Sequence, residues 1–208
     1  MILYIILYKR IFADKIQNKG VMLMRNKLFK TSKILSFIFI FGMFCIAVCE
    51  ARWEVTELPT GNGLKITDVK PGTLHDELRA VPYAPDYTNL LVTGEMNDRD
   101  FRNLSLSTYT HKYKSIDLSG VSADSMPEDS FFERNSLEKF VCPANLKIIK
   151  KRSFMNCSNL EIVVFPKSLK KIENCCFQFC RKLKTPPPDG VELGTRAFHV
   201  TLNDPNNK

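Results

Sequence analysis

The side chains able to do chemistry are few, and each has a plainer structural use. His75, His111 and His199 are the three histidines of the 208-residue chain, and they stand isolated from one another. No G-x-S-x-G elbow presents a nucleophilic serine, no G-x-x-x-x-G-K-[ST] loop cradles a phosphate, and there is no glycine fingerprint for a dinucleotide. Asp98 and Asp100 have the look of paired glycosidase carboxylates. They fall, however, in the first turn expected for a helix capped by Asn97, where the helix dipole accounts for negative charge. Cys175-Cys176-x3-Cys180 suggests a metal site, but structural zinc takes four ligands in two close pairs. Here Phe177 and Phe179 are interleaved with the thiols, and His199 is the only histidine nearby. The chain reads as a non-enzyme with no cofactor and no metal.

The elements that must position any site follow from an internal repeat. At an offset of 23 residues Leu137, Leu160 and Leu183 coincide, as do Pro143 with Pro166, Leu146 with Leu169, and Ile149 with Ile172. Phe131, Phe154 and Phe177 form another register, and Cys157 with Cys180 a further one. One unit reads SLEKFVCPANLKIIKKRSFMNC and the next NLEIVVFPKSLKKIENCCFQFC. A weaker unit, SIDLSGVSADSMPEDSFFERN, precedes them, and a degenerate one, KLKTPPPDGVELGTRAFHV, follows. Apolar alternation at Phe140/Cys142 and Val163/Phe165 marks a short strand in each unit, ended by the next proline. No unit can bury its apolar set alone. Stacked units can, with neighbouring strands about 4.8 Å apart and equivalent side chains in ladders.

The pattern L-x-x-φ-x-φ-P-x-x-L-x-x-I-x-x-x-x-F-x-x-C, with φ apolar, resembles the BspA-type leucine-rich repeat of Bacteroidetes surface proteins. PGTLHDEL (71–78), TNLLVTGEMNDRDFRNL (88–104) and SIDLSGV (115–121) resemble the amino-terminal unit that precedes such repeats. The resemblance covers about residues 66–200. It implies an α/β fold: a leucine-rich-repeat solenoid of short parallel strands, with 23-residue repeats and a strand–helix amino-terminal cap. It also implies a surface binding role, adhesin-like, without naming the ligand.

The organisation expected is a leader (1–51), a cap region (52–112), repeats (113–200) and a polar tail (201–208). In the cap, residues 52–66 read as a loose lead-in and Leu64–Val69 as a strand. Gly72–Arg79 reads as a short helix with Thr73 as N-cap and Asp76 completing a capping box. Asn89–Thr93 reads as the next strand, and Asn97 starts a helix that ends at Leu104. These units are expected to cover one end of the stack, which otherwise exposes a strand edge. At the other end Pro186-Pro187-Pro188 interrupts the solenoid, and the tail TLNDPNNK shows no capping element and is expected to fray.

Five cysteines lie beyond the leader: Cys142, Cys157, Cys175, Cys176 and Cys180. Cys142 takes the strand slot that Phe165 fills in the next unit and reads as a small buried hydrophobe. Cys157 and Cys180 fall on adjacent coils within disulfide range, so a bond there is open.

The net charge of +8 is unevenly spread. Residues 1–51 hold eight basic and two acidic side chains, and the remainder nets only +2, which removes the case for nucleic acid as a partner. Within the leader, Arg25, Lys27, Lys30 and Lys33 form a positive region before a 16-residue apolar run, Ile34 to Cys49. The run is shorter than the roughly 20 residues of a membrane span and suits a signal peptide that starts at Met24 and is cleaved near residue 49 or 51. Lipidation and retention as an anchor are the alternatives, and any membrane contact is through this leader. The mature chain is therefore expected to be secreted or held at the cell surface. Its charge is segregated too: residues 52–135 net −5, and residues 136–184 net +8. Lys147, Lys150, Lys151, Arg152, Lys170 and Lys171 fall on the return segment, as a solvated face or a patch for an anionic partner.

The candidate contact site is the strand face. The residue between each inward apolar pair points outward, which places Asp117, Val141 and Val164 in one row, with Lys139 and Ile162 beside them. An exposed aliphatic row of this kind is a contact candidate. The expected partner is a host or bacterial surface protein, or a glycan. The competing reading is a scaffold of the cell envelope with no diffusible ligand.

Overall fold

The computed structural model describes residues 53–58, 61–81 and 87–204. The leader and the last four residues of the tail lie outside this range, as do the expectations about them. Two strands, β1 (Trp53–Leu58) and β2 (Gly61–Val69), open the described chain, followed by α1 (Leu74–Ala80), β3 (Asn89–Glu95) and α2 (Asp98–His111). Then come β4 (Ser115–Ser122), β5 (Ser125–Met126), β6 (Lys139–Val141), β7 (Ile148–Ile149), β8 (Ile162–Val164), β9 (Lys171–Ile172) and β10 (Glu192–Leu193).

The strands form two sheets. One has six strands in the order β1-β2-β3-β4-β6-β8, and the other has four in the order β10-β9-β7-β5. All pairings are parallel except β1 with β2. Three successive coils thus give one strand to each sheet, the last gives β10 to the smaller sheet alone, and the apolar residues of both sheets meet between them. Phe140, Val163, Ile149 and Ile172 are buried there with Leu137, Leu160 and Leu183. The rings of Phe131, Phe154, Phe177 and Phe198 stack through the repeats, with centroids 5.4, 5.1 and 5.0 Å apart. Phe198 extends the expected three-ring ladder by one rung.

The cap differs from expectation in three places, and the tail in a fourth. Over residues 53–58 and 61–66 the expected loose lead-in is instead ordered strand: β1 pairs antiparallel with β2 and covers its outer edge. Thr73 is the N-cap residue of α1 but makes no side-chain cap, because its backbone is helical rather than extended (φ −99°, ψ −11°). Its hydroxyl serves Lys70 instead, and the Leu74 N–H donates to Asp100 Oδ1 at 3.1 Å. Asp100 Oδ2 also accepts from Gly72 (2.6 Å) and from Asn97 (3.0 Å), so one buried carboxylate holds the starts of both helices.

Helix α2 runs seven residues past Leu104. Its C-terminal half, SLSTYTH, is poor in strong helix formers. Tertiary contacts sustain it: Ser105, Ser107 and Thr108 are buried, and Arg134 Nε donates to the Ser105 carbonyl at 3.0 Å. In the tail, Thr201 and Asp204 are buried; Asp204 Oδ2 accepts from Val200 N–H at 3.0 Å and lies 3.1 Å from His199 Nδ1. Asn203 Nδ2 donates to the Leu183 carbonyl, so residues 201–204 close the stack. Gly94 is the cap glycine held most tightly. Its φ is +119°, and a Cβ there would collide with the Val69 backbone at the shift in register between β2 and β3.

Candidate interaction surface

The face of the six-stranded sheet turned away from the core is built by alternation. Ile116 and Leu118 in β4 and Phe140 in β6 point inward, as does Val163 in β8. Parallel pairing then aligns the residues between them: Asp117 with Val141, and Val141 with Val164. A second row aligns Ser115 with Lys139, and Lys139 with Ile162. All five candidates therefore share one face. Alternation within β2 and β3 also carries the first row on through Leu91 to Lys65. That extension was readable from the two cap strands but belongs to no repeat, so the periodicity did not point to it.

The five are not equally available. Ile162 and Val164 are 43% and 45% exposed, Lys139 is exposed, and Val141 and Asp117 are half-buried. Asp117 Oδ1 accepts the Ser119 N–H at 2.8 Å, so part of its acceptor capacity is used within its own turn. The surface changes from charged and polar over β4 to aliphatic at β8. β8 is the end strand because the next repeat supplies Thr185 and three prolines. The Thr185 hydroxyl accepts the Val163 N–H at 2.9 Å. The interruption affects this sheet alone, since the smaller sheet continues to β10.

The basic return segment is largely neutralised by the coil before it. Lys147 pairs with Asp124 (3.0 Å) and Lys151 with Glu128 (3.1 Å), while Arg152 binds Asp129 through both Nε and Nη2 (2.8 and 2.7 Å). Arg152 and Asp129 are separated by 23 residues, the offset at which the repeats align. Lys171 meets Glu192 on its other side at 2.8 Å. The acidic first half and basic second half are thus two sides of one ladder. Exposed pairs of this kind contribute little stability, but they leave less free charge than the sequence suggests.

The described cysteines face the core except Cys175, which is half-buried. Cys157 Sγ and Cys180 Sγ donate to the carbonyls of Phe131 (2.9 Å) and Phe154 (3.0 Å), and both thiols are free. Burial pushes the Cys142 thiol far above its ordinary range; for Cys180 the hydrogen bond with Cys157 comes first and burial second. Among the described residues no cluster of three or more His, Cys, Asp or Glu could hold a metal ion.

Among known protein families, residues 97–200 match the BspA type leucine rich repeat region, in six copies. A similar solved structure is the crystal structure of the T. pallidum leucine rich repeat protein. It is 14% identical, covers 72% of this chain and has a TM-score of 0.36; this chain spans 65% of its length. No curated protein matches.

Proposed function

Because the chain belongs to the BspA-type leucine-rich repeat family, we propose that it is an exported, non-catalytic binding module. It captures a surface protein or glycan, adhesin-like, on the outer face of the six-stranded sheet. The family is one of binding modules that are typically surface-held or secreted. The observation that carries the reading is the pair Ile162 and Val164, adjacent to Lys139 and Val141 and each more than two-fifths exposed. Exposed β-branched residues are common on strands, but contiguous ones at a sheet end favour contact. The two rows contain no aromatic ring from Ser115 to Val164 to stack on a sugar, which favours a protein over a glycan. The basic return segment is a weaker candidate, with Lys147, Lys151, Arg152 and Lys171 already paired.

The test is a pull-down from host-matrix and glycan extracts, repeated with Ile162→Asp combined with Val164→Asp. This pair is cleaner than Val141→Asp, because Val141 is half-buried. Loss of capture with circular dichroism and melting unchanged supports the strand face. Undiminished capture by the double variant removes it, and a wild-type chain that captures nothing favours an envelope scaffold.

A further inference from the structure

Helices α1 and α2 of the cap do not close against each other completely. Between them lies a cleft of about 380 Å³, towards the lower end of the size range of small-molecule sites. Leu64, Leu78, Val81 and Tyr113 supply its apolar surface, and Leu106, 62% exposed, stands beside it. The basic side chains Arg79, His75 and His111 line the cleft beside the hydroxyls of Ser107 and Thr110, and among the described residues no Asp or Glu does. Asn103 lines it as well, and its Nδ2 is buried with no hydrogen-bond partner. A buried donor left without an acceptor is rare in a folded protein and calls for an explanation. The His111 ring is fixed by Nδ1, 3.1 Å from the Ser107 carbonyl and 3.0 Å from Thr110 Oγ1, and by stacking on Tyr113 with centroids 5.6 Å apart.

We propose that this cleft binds a small carboxylic acid with an apolar body, its carboxylate taken by Arg79 and the Asn103 amide. An apolar surface with a free amide donor and a guanidinium, and no opposing carboxylate among the described residues, is complementary to such a molecule and not to a cation. Burial raises the Tyr113 and Tyr87 hydroxyls and keeps them protonated, so neither phenol repels an anion. The site is separate from the strand face and stands or falls without it.

The test is a titration of the isotopically labelled protein with phenylacetate and isocaproate, each beside its neutral primary amide, followed by NMR. Both acids are expected to bind with dissociation constants of about 1 mM or tighter and to move the Asn103 side-chain amide resonances, with the neutral amides about tenfold weaker. Arg79 is exposed, so Arg79→Gln should fold normally, lose about tenfold for the acids and bind the amides unchanged, while Arg79→Lys recovers most of the loss. Ile162→Asp should change nothing. Equal binding of acid and amide, or saturation that leaves Asn103 unmoved, overturns the proposal, as does the absence of binding by either acid.

Discussion

Phe154 lies between Phe131 and Phe177, 5.4 and 5.1 Å away, with Phe140 edge-on at 4.9 Å. Truncating it removes one ring from three contacts in a core of few repeats. Phe154→Ala is expected to cost about 3–5 kcal/mol in urea unfolding, and an unchanged midpoint would mean the rings do not stack. Asp100 is the polar counterpart. Asp100→Ala leaves three N–H groups without their acceptor and is expected to cost about 3 kcal/mol. The neighbouring exposed Asp98→Ala should stay within about 0.5 kcal/mol. The sequence placed both carboxylates in a first turn but could not separate them, because the partners Gly72 and Leu74 belong to another helix and the turn before it. The thiols divide similarly: iodoacetamide on the native protein should label Cys175 and spare Cys142, Cys157, Cys176 and Cys180, as peptide mass mapping would show.

At the level of the elements, the turns that close each coil use left-handed residues that are not glycine. Asp129, Arg152 and Cys175 share φ 56°, while Glu133, Asn156, Phe179 and Val200 repeat a second such position. Val200 is β-branched, and a non-glycine residue there carries about 1–2 kcal/mol of strain. Val200→Gly relieves that strain, whereas Val191→Gly, at another half-buried valine that is not left-handed, relieves none. Thermal unfolding should show the first variant more stable than the second by about 1–2 kcal/mol. The repeat period revealed that these turns recur, since equivalent residues align. It could not reveal their handedness, because Arg, Glu, Phe and Val do not advertise it as glycine does.

For the molecule as a whole, the buried thiols make stability fall as pH rises into the alkaline range. Burial raises Cys142 and Cys176 above the ordinary 9.0, so the folded chain holds protons that the unfolded chain releases. Their contribution to stability is complete below the unfolded value and falls above it, by about 1.4 kcal/mol per pH unit for each thiol. Unfolding under reducing conditions from pH about 8 to 11 should show that decline, and Cys142→Ala should make it shallower by one proton. An unchanged slope would place that thiol in water. What the sequence determined by itself was the stack: a 23-residue period fixes which residues become neighbours, and strand alternation fixes which of them face in. That is enough to align Asp117 with Val141 and Val164, and Lys139 with Ile162. The tertiary structure decided everything that joins residues outside the period. It made Asp100 the anchor of two helices, tied Arg134 of a repeat to Ser105 of α2, and folded residues 201–204 into a closing turn. The physical reason is range. Burial patterns are written locally along the chain, whereas a hydrogen bond or an ion pair between distant segments exists only once packing brings them together.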